Sequence, residues 1–586
     1  MDPTPTKSNL PFRPADFSGL AEALDYAAQG ATGANYYSGR GELYASVPYA
    51  ELRQQARLAA RRMLGLGMER GSRVAIVAET TPDFLVFFFA CQYAGLVPVP
   101  LTAALTLGSR RSYVSQLHNL LENCAAVMLV APEGYEDYFG GAADGLDLKF
   151  CGTPEAFAEL PAADVELKPL AGEEIAYIQY TSGSTRFPRG VLITENAVLE
   201  NLQGIALHGL KLQETDRFFS WLPYYHDMGL IGKVLTPIAT QISVDYLGTR
   251  EFAMRPRLWL ELMTRTGCTI SFGPPFGYEL CARRIREGDT ARYDLSKWRV
   301  AGVGAEMIRP EVLHAFAEVL SNSNFREESF QACYGMAECS LAISFAPLDE
   351  ALDVDHVDSE HLSHTDEAVH VDGIDDPGRV RSFVNCGTPL PGYDVEIRDV
   401  NGEPLPERRT GTIFVRGASV MSGYFNEPEI TAQVLSEDGW LNTGDVGYRI
   451  GESLVLTGRE KDIIIINGRN IWPQDLEYLA EQQPEIRTGD ALAFSAPDLD
   501  GAETPVLVVQ CRLRDEERRE ALRQRLEGLV AAELGIHSAV QLVPAHFLPR
   551  TSSGKLSRSK ARQNYIESLP EGARPPADGK LDRVVG

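Results

Sequence analysis

Tyr180-Thr181-Ser182-Gly183-Ser184-Thr185-Arg186-Phe187-Pro188-Arg189-Gly190 stands between an apolar run, Ile175 to Gln179, and a helix-like run, Glu195 to Leu202. Strand, hydroxyl-rich glycine loop, then helix is an arrangement that can close on an anion. Glycine lets the backbone turn tightly, and backbone N–H and side-chain O–H groups converge as donors. Arg186 or Arg189 adds positive charge. The closing Gly-Lys-Ser/Thr of a Walker A loop is absent. Taken alone, the segment also reads as an ordinary Ser/Gly turn.

The flanks extend the pattern. From about residue 17 to 345, strand-like and helix-like runs alternate: Arg73 to Ala78 and Ala126 to Val130 are short apolar strands, with helical Pro82 to Tyr93 between them. Buried strands alternating with helices imply a layered α/β sheet. Phe84 to Leu101 is apolar enough to suggest a membrane span, but Gln92, Gly95, Pro98 and Pro100 interrupt it. It reads as a buried helix ending near Gly95, then a short strand.

Beyond residue 345 the pattern changes twice. Residues 349–378 carry eleven acidic residues and four histidines (His356, His361, His364, His370) with no Lys or Arg. The histidine spacing matches no standard metal-ligand pattern, so this stretch is expected to be a solvated insertion. From Phe383 to Leu456 the period becomes two, with Tyr393 to Asp399, a turn at Asn401-Gly402, and Gly411 to Arg416 forming an antiparallel β-unit. After Gly458 a separate small domain is expected, with strands at Ile463 to Ile466 and Val506 to Cys511, a charged helix from about Asp515 to Leu534, and a loose tail from about Pro570. The fold class is therefore α/β. Residues 1–458 form a large domain of layered α/β subdomains plus a β-unit, and residues 459–586 a small mobile α+β domain.

A chain of 586 residues exceeds one core. Its net charge of −26 repels phosphate backbones and anionic lipid, which argues against nucleic-acid binding and stable membrane insertion. The nine cysteines include no CxxC pair, and Met1 to Asp16 lacks an apolar signal core. A reduced, cytoplasmic location is expected.

Five further segments accompany the loop in order: Gly302-Val303-Gly304-Ala305-Glu306, Tyr334-Gly335-Met336-Ala337-Glu338, Asn442-Thr443-Gly444-Asp445, Gly458-Arg459-Glu460-Lys461-Asp462 and Thr551-Ser552-Ser553-Gly554-Lys555. Over about residues 40–565 the chain resembles the adenylate-forming superfamily of acyl-CoA synthetases, luciferases and peptide-synthetase adenylation domains. The resemblance implies ATP and Mg²⁺ as cofactors. Thr181, Ser182, Gly183, Ser184 and Thr185 would hold the phosphates. Gly304, Ala305, Glu306, Tyr334, Gly335, Met336 and Ala337 would surround the adenine, and Asp445 and Arg459 the ribose. Glu338 would stand near the metal, Lys461 would serve as hinge, and Lys555 would be the catalytic lysine.

That assignment suits the chemistry. A carboxylate must attack the α-phosphorus of ATP although both are anions, so positive charge is needed at the bridging oxygens and on the leaving pyrophosphate. No covalent enzyme nucleophile is required; positioning and electrostatics carry the rate.

Several segments resemble one branch, the fatty acyl-AMP ligases, which pass acyl groups to an acyl carrier protein or to a carrier domain of a polyketide or peptide synthase. Trp221-Leu222-Pro223-Tyr224-Tyr225-His226-Asp227-Met228-Gly229-Leu230 is similar to that branch's substrate-side motif, which sets His226 beside the acyl carboxylate. Gly468-Arg469-Asn470-Ile471-Trp472-Pro473 is also similar, with Ile471-Trp472 departing from the commoner pair. The acidic stretch stands where this branch carries an insertion that impedes the movement CoA transfer needs. Phe272-Gly273-Pro274-Pro275-Phe276-Gly277-Tyr278 resembles a segment of the acyl tunnel, with Phe276 as a wall and small Gly277 leaving room for a chain. A fatty acid is the implied substrate. An acyl-CoA ligase and an inactive adenylation-like scaffold are the alternatives.

Overall fold

The computed structural model describes residues 2–103, 110–181, 188–286, 288–372, 379–466, 469–497, 503–550 and 555–569. A four-stranded parallel sheet runs in the order Val97–Leu101, Arg73–Val77, Ala126–Val130, Phe150–Gly152. The helix Pro82–Ala94 links its first two strands and is buried from Phe84 to Ala94. A helix apolar on every face has to lie inside a core. It stops at Gly95, whose φ of 73° is a left-handed cap that glycine adopts without Cβ strain. Among the described residues, no helix is long and apolar enough to cross a membrane.

A nine-stranded sheet carries the site. Six neighbouring strands are parallel: Gly33–Tyr37, Val244–Leu247, Phe218–Ser220, Ile270–Gly273, Val300–Val303 and Phe330–Gly335. In open α/β sheets, ligands bind outside the carboxyl ends of such strands. Gly304-Ala305-Glu306 and Tyr334-Gly335 stand at those ends. The strand Ile175–Tyr180 pairs antiparallel with Gly190–Thr194 in a separate three-stranded sheet. Residues 181–189 thus connect two antiparallel strands, and the helix Glu195–Gly204 follows the second strand rather than that connection.

The expected β-unit is a four-stranded antiparallel sheet of Asp394–Arg398, Gly411–Arg416, Leu441–Ile450 and Ser453–Arg459. The turn at Asn401-Gly402 is present, with Gly402 at φ 85°, but the chain bridges Arg398 to Pro404 before the partner strand begins at Gly411. Further on, two apolar clusters organise the C-terminal residues. One centres on Ile464, Leu476, Leu507 and Leu526, the other on Leu492, Phe494, Val508 and Leu548. The helix Glu516–Leu534 begins where the Asp515 carboxylate accepts the Arg518 N–H at 2.8 Å. Its buried Leu522, Leu526 and Val530 recur every four residues, the spacing of one helix face.

The described part of the acidic stretch, 349–372, is largely at the surface as expected, but it is ordered and anchored to the fold at a few buried residues. Its strand Val354–Asp358 pairs antiparallel with Val380–Val384, and the helix Ser359–Thr365 follows. Asp355, 5% exposed, accepts hydrogen bonds from Tyr448 Oη at 2.7 Å and Arg408 Nη1 at 3.0 Å, and contacts His370 Nδ1 at 2.7 Å. Burial pushes its carboxyl up, but these partners outweigh burial and hold it below the usual range. Val357, Leu362 and Ala368 pack with Phe383, Tyr448 and Trp472 in one apolar cluster, and Asn470 Nδ2 donates to Asp366 Oδ1 at 2.8 Å. The composition misled because the neutralising partners, Arg408 and Tyr448, lie far along the chain. The histidines serve local contacts: His356 meets Ser382 Oγ and His364 the Glu360 carbonyl. Among the described residues no three His, Cys, Asp or Glu side chains gather as a metal site.

Candidate active site

One cavity of about 1430 Å³ opens where the carboxyl ends of the large sheet, the β-unit and the C-terminal residues meet. The nucleotide side is shaped by backbone constraints first. A Cβ at Gly304 would lie 2.7 Å from the Cys333 carbonyl oxygen, and one at Gly335 1.9 Å from that of Leu341. Neither site tolerates a side chain without moving backbone. Ala305 sits at φ 69°, a left-handed conformation that costs an alanine ~1 kcal/mol or more and that clusters at functional sites.

Tyr334 Oη donates to Asp445 Oδ2 at 2.8 Å, and Arg459 Nε lies 3.2 Å from Asp445 Oδ1. The Asp445 carboxylate raises Arg459 above its ordinary value, keeping it charged. Glu338 is buried, accepts from Tyr424 Oη at 2.8 Å and has its carboxyl pushed up by burial. Tyr424 carries no motif in the sequence; it lies in a two-residue strand, Gly423–Tyr424, and meets Glu338 only through the fold.

On the carboxylate side, His226 caps the short helix Asp227–Leu230 and its Nδ1 lies 2.6 Å from Asp227 Oδ1. Burial alone would raise Asp227, but the adjacent His226 and Lys555, with the Met228 N–H, pull it below its ordinary value. Lys555 reaches across from the C-terminal residues and donates to the Ala305 carbonyl at 2.8 Å. Burial lowers its ammonium, and Glu306 and Asp227 oppose that shift. Glu306, also lining the cavity, has its carboxyl raised by burial. Met336 and Ala337 complete this wall.

Thr181 lines the cavity at the base of the hairpin, its N–H bonded to the Arg189 carbonyl at 3.0 Å. Ser182, Gly183, Ser184, Thr185 and Arg186 lie outside the described residues, as do residues 551–554. Arg189 pairs with Glu427 at 3.6 Å over the Tyr424 ring. Lys461 lies in an exposed turn at the cavity's edge.

The tunnel expectation needs one correction. Phe276 lines the cavity, but Gly277 leaves no room for a chain: a Cβ there would meet the Trp221 ring at 2.6 Å. That indole stacks on Phe252 at 3.7 Å and fills the space a small residue freed.

The AMP-binding enzyme family model matches residues 26–425. The chain belongs to that family. It is an ATP-dependent carboxylate-adenylating enzyme, similar over nearly its whole length to other members. A Caulobacter vibrioides protein, provisionally named an acyl-CoA synthetase, is 46% identical over 96% of this chain and 98% of its own. The medium-chain-fatty-acid–[acyl-carrier-protein] ligase JamA of Moorena producens is 30% identical over 94% and 96%. A structure from a study of fatty acyl-adenylate ligases of E. coli and L. pneumophila superposes with a TM-score of 0.89 at 47% identity, covering 95% of this chain and 98% of that one.

Proposed function

We propose that this chain activates a fatty acid as its acyl-adenylate, releasing pyrophosphate, and transfers the acyl group to the phosphopantetheine thiol of an acyl carrier protein or carrier domain. The observation that carries the reading is Lys555 Nζ bonded to the Ala305 carbonyl, beside Asp227 and Glu306 and above the Tyr334–Asp445–Arg459 cluster. Tyr334 and the 304–306 backbone flank the adenine, and Asp445 takes the ribose hydroxyls. His226 stands by the incoming carboxylate. One carboxylate oxygen attacks the α-phosphorus as the bond to the bridging oxygen breaks and pyrophosphate leaves. Lys555 lies where negative charge gathers on both.

Mg²⁺ fits the same site. This cation takes oxygen ligands, keeps waters and binds through one or two carboxylates plus substrate phosphates rather than in a protein cage. Glu338 supplies such a carboxylate in the cavity with one oxygen held by Tyr424. When bound, the ion would neutralise the β- and γ-phosphates held by residues 181–185.

Residues 1–458 are read as the large domain and 459–586 as a small one pivoting at Lys461. The separate apolar clusters after Ile464 support that boundary. The nine cysteines are all free, which supports a cytoplasmic setting. A second reading, CoA as acceptor, is favoured by the name of the Caulobacter vibrioides relative. The test of both is incubation with ATP, Mg²⁺ and a fatty-acid panel, with CoA or a pantetheinylated carrier protein. Mass spectrometry then reads acyl-AMP, acyl-CoA or acyl-carrier. Absence of acyl-AMP and pyrophosphate with every acid would defeat the proposal.

A further inference from the structure

Lys233 stands inside the apolar part of the same cavity. The side chain is 1% exposed, yet it lines the cavity together with Ile205, Leu210, Phe272, Leu341 and Phe345. Its Nζ sits 3.7 Å from the Phe272 ring centroid and 4.9 Å from that of Phe218. Among the described residues no carboxylate pairs with it, and the ionisable group that acts on it is the Cys333 thiol, itself pushed up to about 12 by burial. Burial drives the Lys233 amine well below its ordinary value.

An amine in an apolar tube is costly. Two ring faces offset part of that cost, but leucine or methionine would line a tube for plain hydrocarbon at no such cost. The local backbone is also unusual. Residues Ile231–Leu235 form a π-helical turn, a distortion frequent at functional sites, and Tyr246 Oη pins it by donating to the Lys233 carbonyl at 2.7 Å. Lys233 follows His226 by seven residues, roughly 10 Å along the helix axis. Both side chains line the one cavity, so a chain whose carboxylate meets His226 shares that cavity with the amine.

We infer that Lys233 is a specificity-determining residue that selects acids carrying a hydrogen-bond-accepting oxygen along the acyl chain, as a hydroxyl, a ketone or a second carboxylate. The inference rests on the adenylation reading above. An oxygenated chain gives the amine the partner that the protein withholds, whereas a plain alkyl chain leaves it unpaired and expels nothing in return.

The test uses the full-length protein with ATP and Mg²⁺. Dodecanoic acid is compared with acids of the same length bearing a hydroxyl or oxo group at successive carbons, and with the α,ω-dicarboxylic acid. Pyrophosphate release gives kcat/KM, and calorimetry gives binding of the same free acids without ATP. At one position an oxygenated acid is expected to exceed dodecanoic acid by about tenfold or more, with Lys233→Met erasing or inverting that ratio and Lys233→Gln, which keeps a donor, retaining part of it. The three arms separate hydroxyl, ketone and carboxylate as the preferred oxygen. Equal ratios in wild type and Lys233→Met overturn the inference while leaving the adenylation reading intact. Should no acid be adenylated, that reading fails, and calorimetry still decides the inference: oxygenated acids binding wild type no tighter than Lys233→Met overturns it.

Discussion

Lys555 Nζ hydrogen-bonds the carbonyl oxygen of Ala305, 250 residues earlier in the chain, at 2.8 Å. The contact joins Lys555 to a residue held at positive φ on the rim of the large sheet. A carbonyl that points its dipole at the ammonium locates the positive charge before substrate arrives. In the proposed catalytic role of Lys555, this would be the preorganisation that makes electrostatic catalysis effective.

Lys555→Ala is accordingly expected to lower the rate of adenylate formation by about 10²–10³. Circular dichroism and thermal unfolding should match wild type, since the side chain serves the cavity rather than a core. Pyrophosphate release by the folded variant checks this, and a near-normal rate removes the role.

Lys461→Pro is expected to damage acyl transfer more than adenylation. Lys461 lies in the exposed turn between Arg459 and Ile464, where few residues could absorb a large backbone rotation. Proline fixes φ and resists such a rotation. The two half-reactions are measured separately, and equal losses in both would discard the pivot.

The acidic insertion makes two opposed predictions. Asp355→Ala leaves Tyr448 Oη, 0% exposed as a residue, and the Arg408 guanidinium without their shared acceptor. A loss on the order of 3 kcal/mol is expected, read by chemical denaturation. Asn470→Ala removes the contact to Asp366 and weakens the hold of that stretch on the C-terminal residues, while Trp472 stays packed on Val357, Leu362 and Ala368. If the insertion restrains the rearrangement CoA needs, acyl-CoA formation rises in this variant while carrier loading changes little. Acyl-CoA made by the unmodified enzyme as fast as carrier loading would contradict a restraining role.

Glu195 gives a pH dependence. The residue is fully buried; Oε2 accepts the Leu20 N–H at 2.7 Å, Oε1 has no partner, and burial pushes the carboxyl from 4.5 up to about 8. Between those values the native protein holds a proton that the unfolded chain has lost, so stability from this group is full below about pH 4.5 and falls as pH rises through 8. Glu195→Gln should match wild type near pH 4 and exceed it by on the order of 3 kcal/mol near pH 9. Denaturant midpoints across pH check this, and parallel curves for the two proteins would refute it.

Most of the local framework was legible in the chain. The strands Arg73–Val77 and Ala126–Val130, the buried helix closing at Gly95 and the helix Glu516–Leu534 follow from periodicity and capping, which depend on neighbours a few residues apart. The ordered motifs likewise point to Tyr334, Asp445, Arg459, His226 and Lys555, which the fold brings to one cavity. What escaped was whatever depends on residues distant in sequence. Asp355 read as one more solvated acid because Arg408 and Tyr448, its buried partners, and Trp472, which packs on its neighbours, lie far along the chain. Gly277 read as open space because the Trp221 ring that fills it arrives from another element. Lys233 belongs to none of the motifs the sequence offers, and only the folded chain brings Phe218, Phe272 and Cys333 around its amine. Short-range torsional and hydrophobic preferences act along the chain and can be read there; charge compensation and cavity shape arise from packing in space, and they are settled only once the chain has folded.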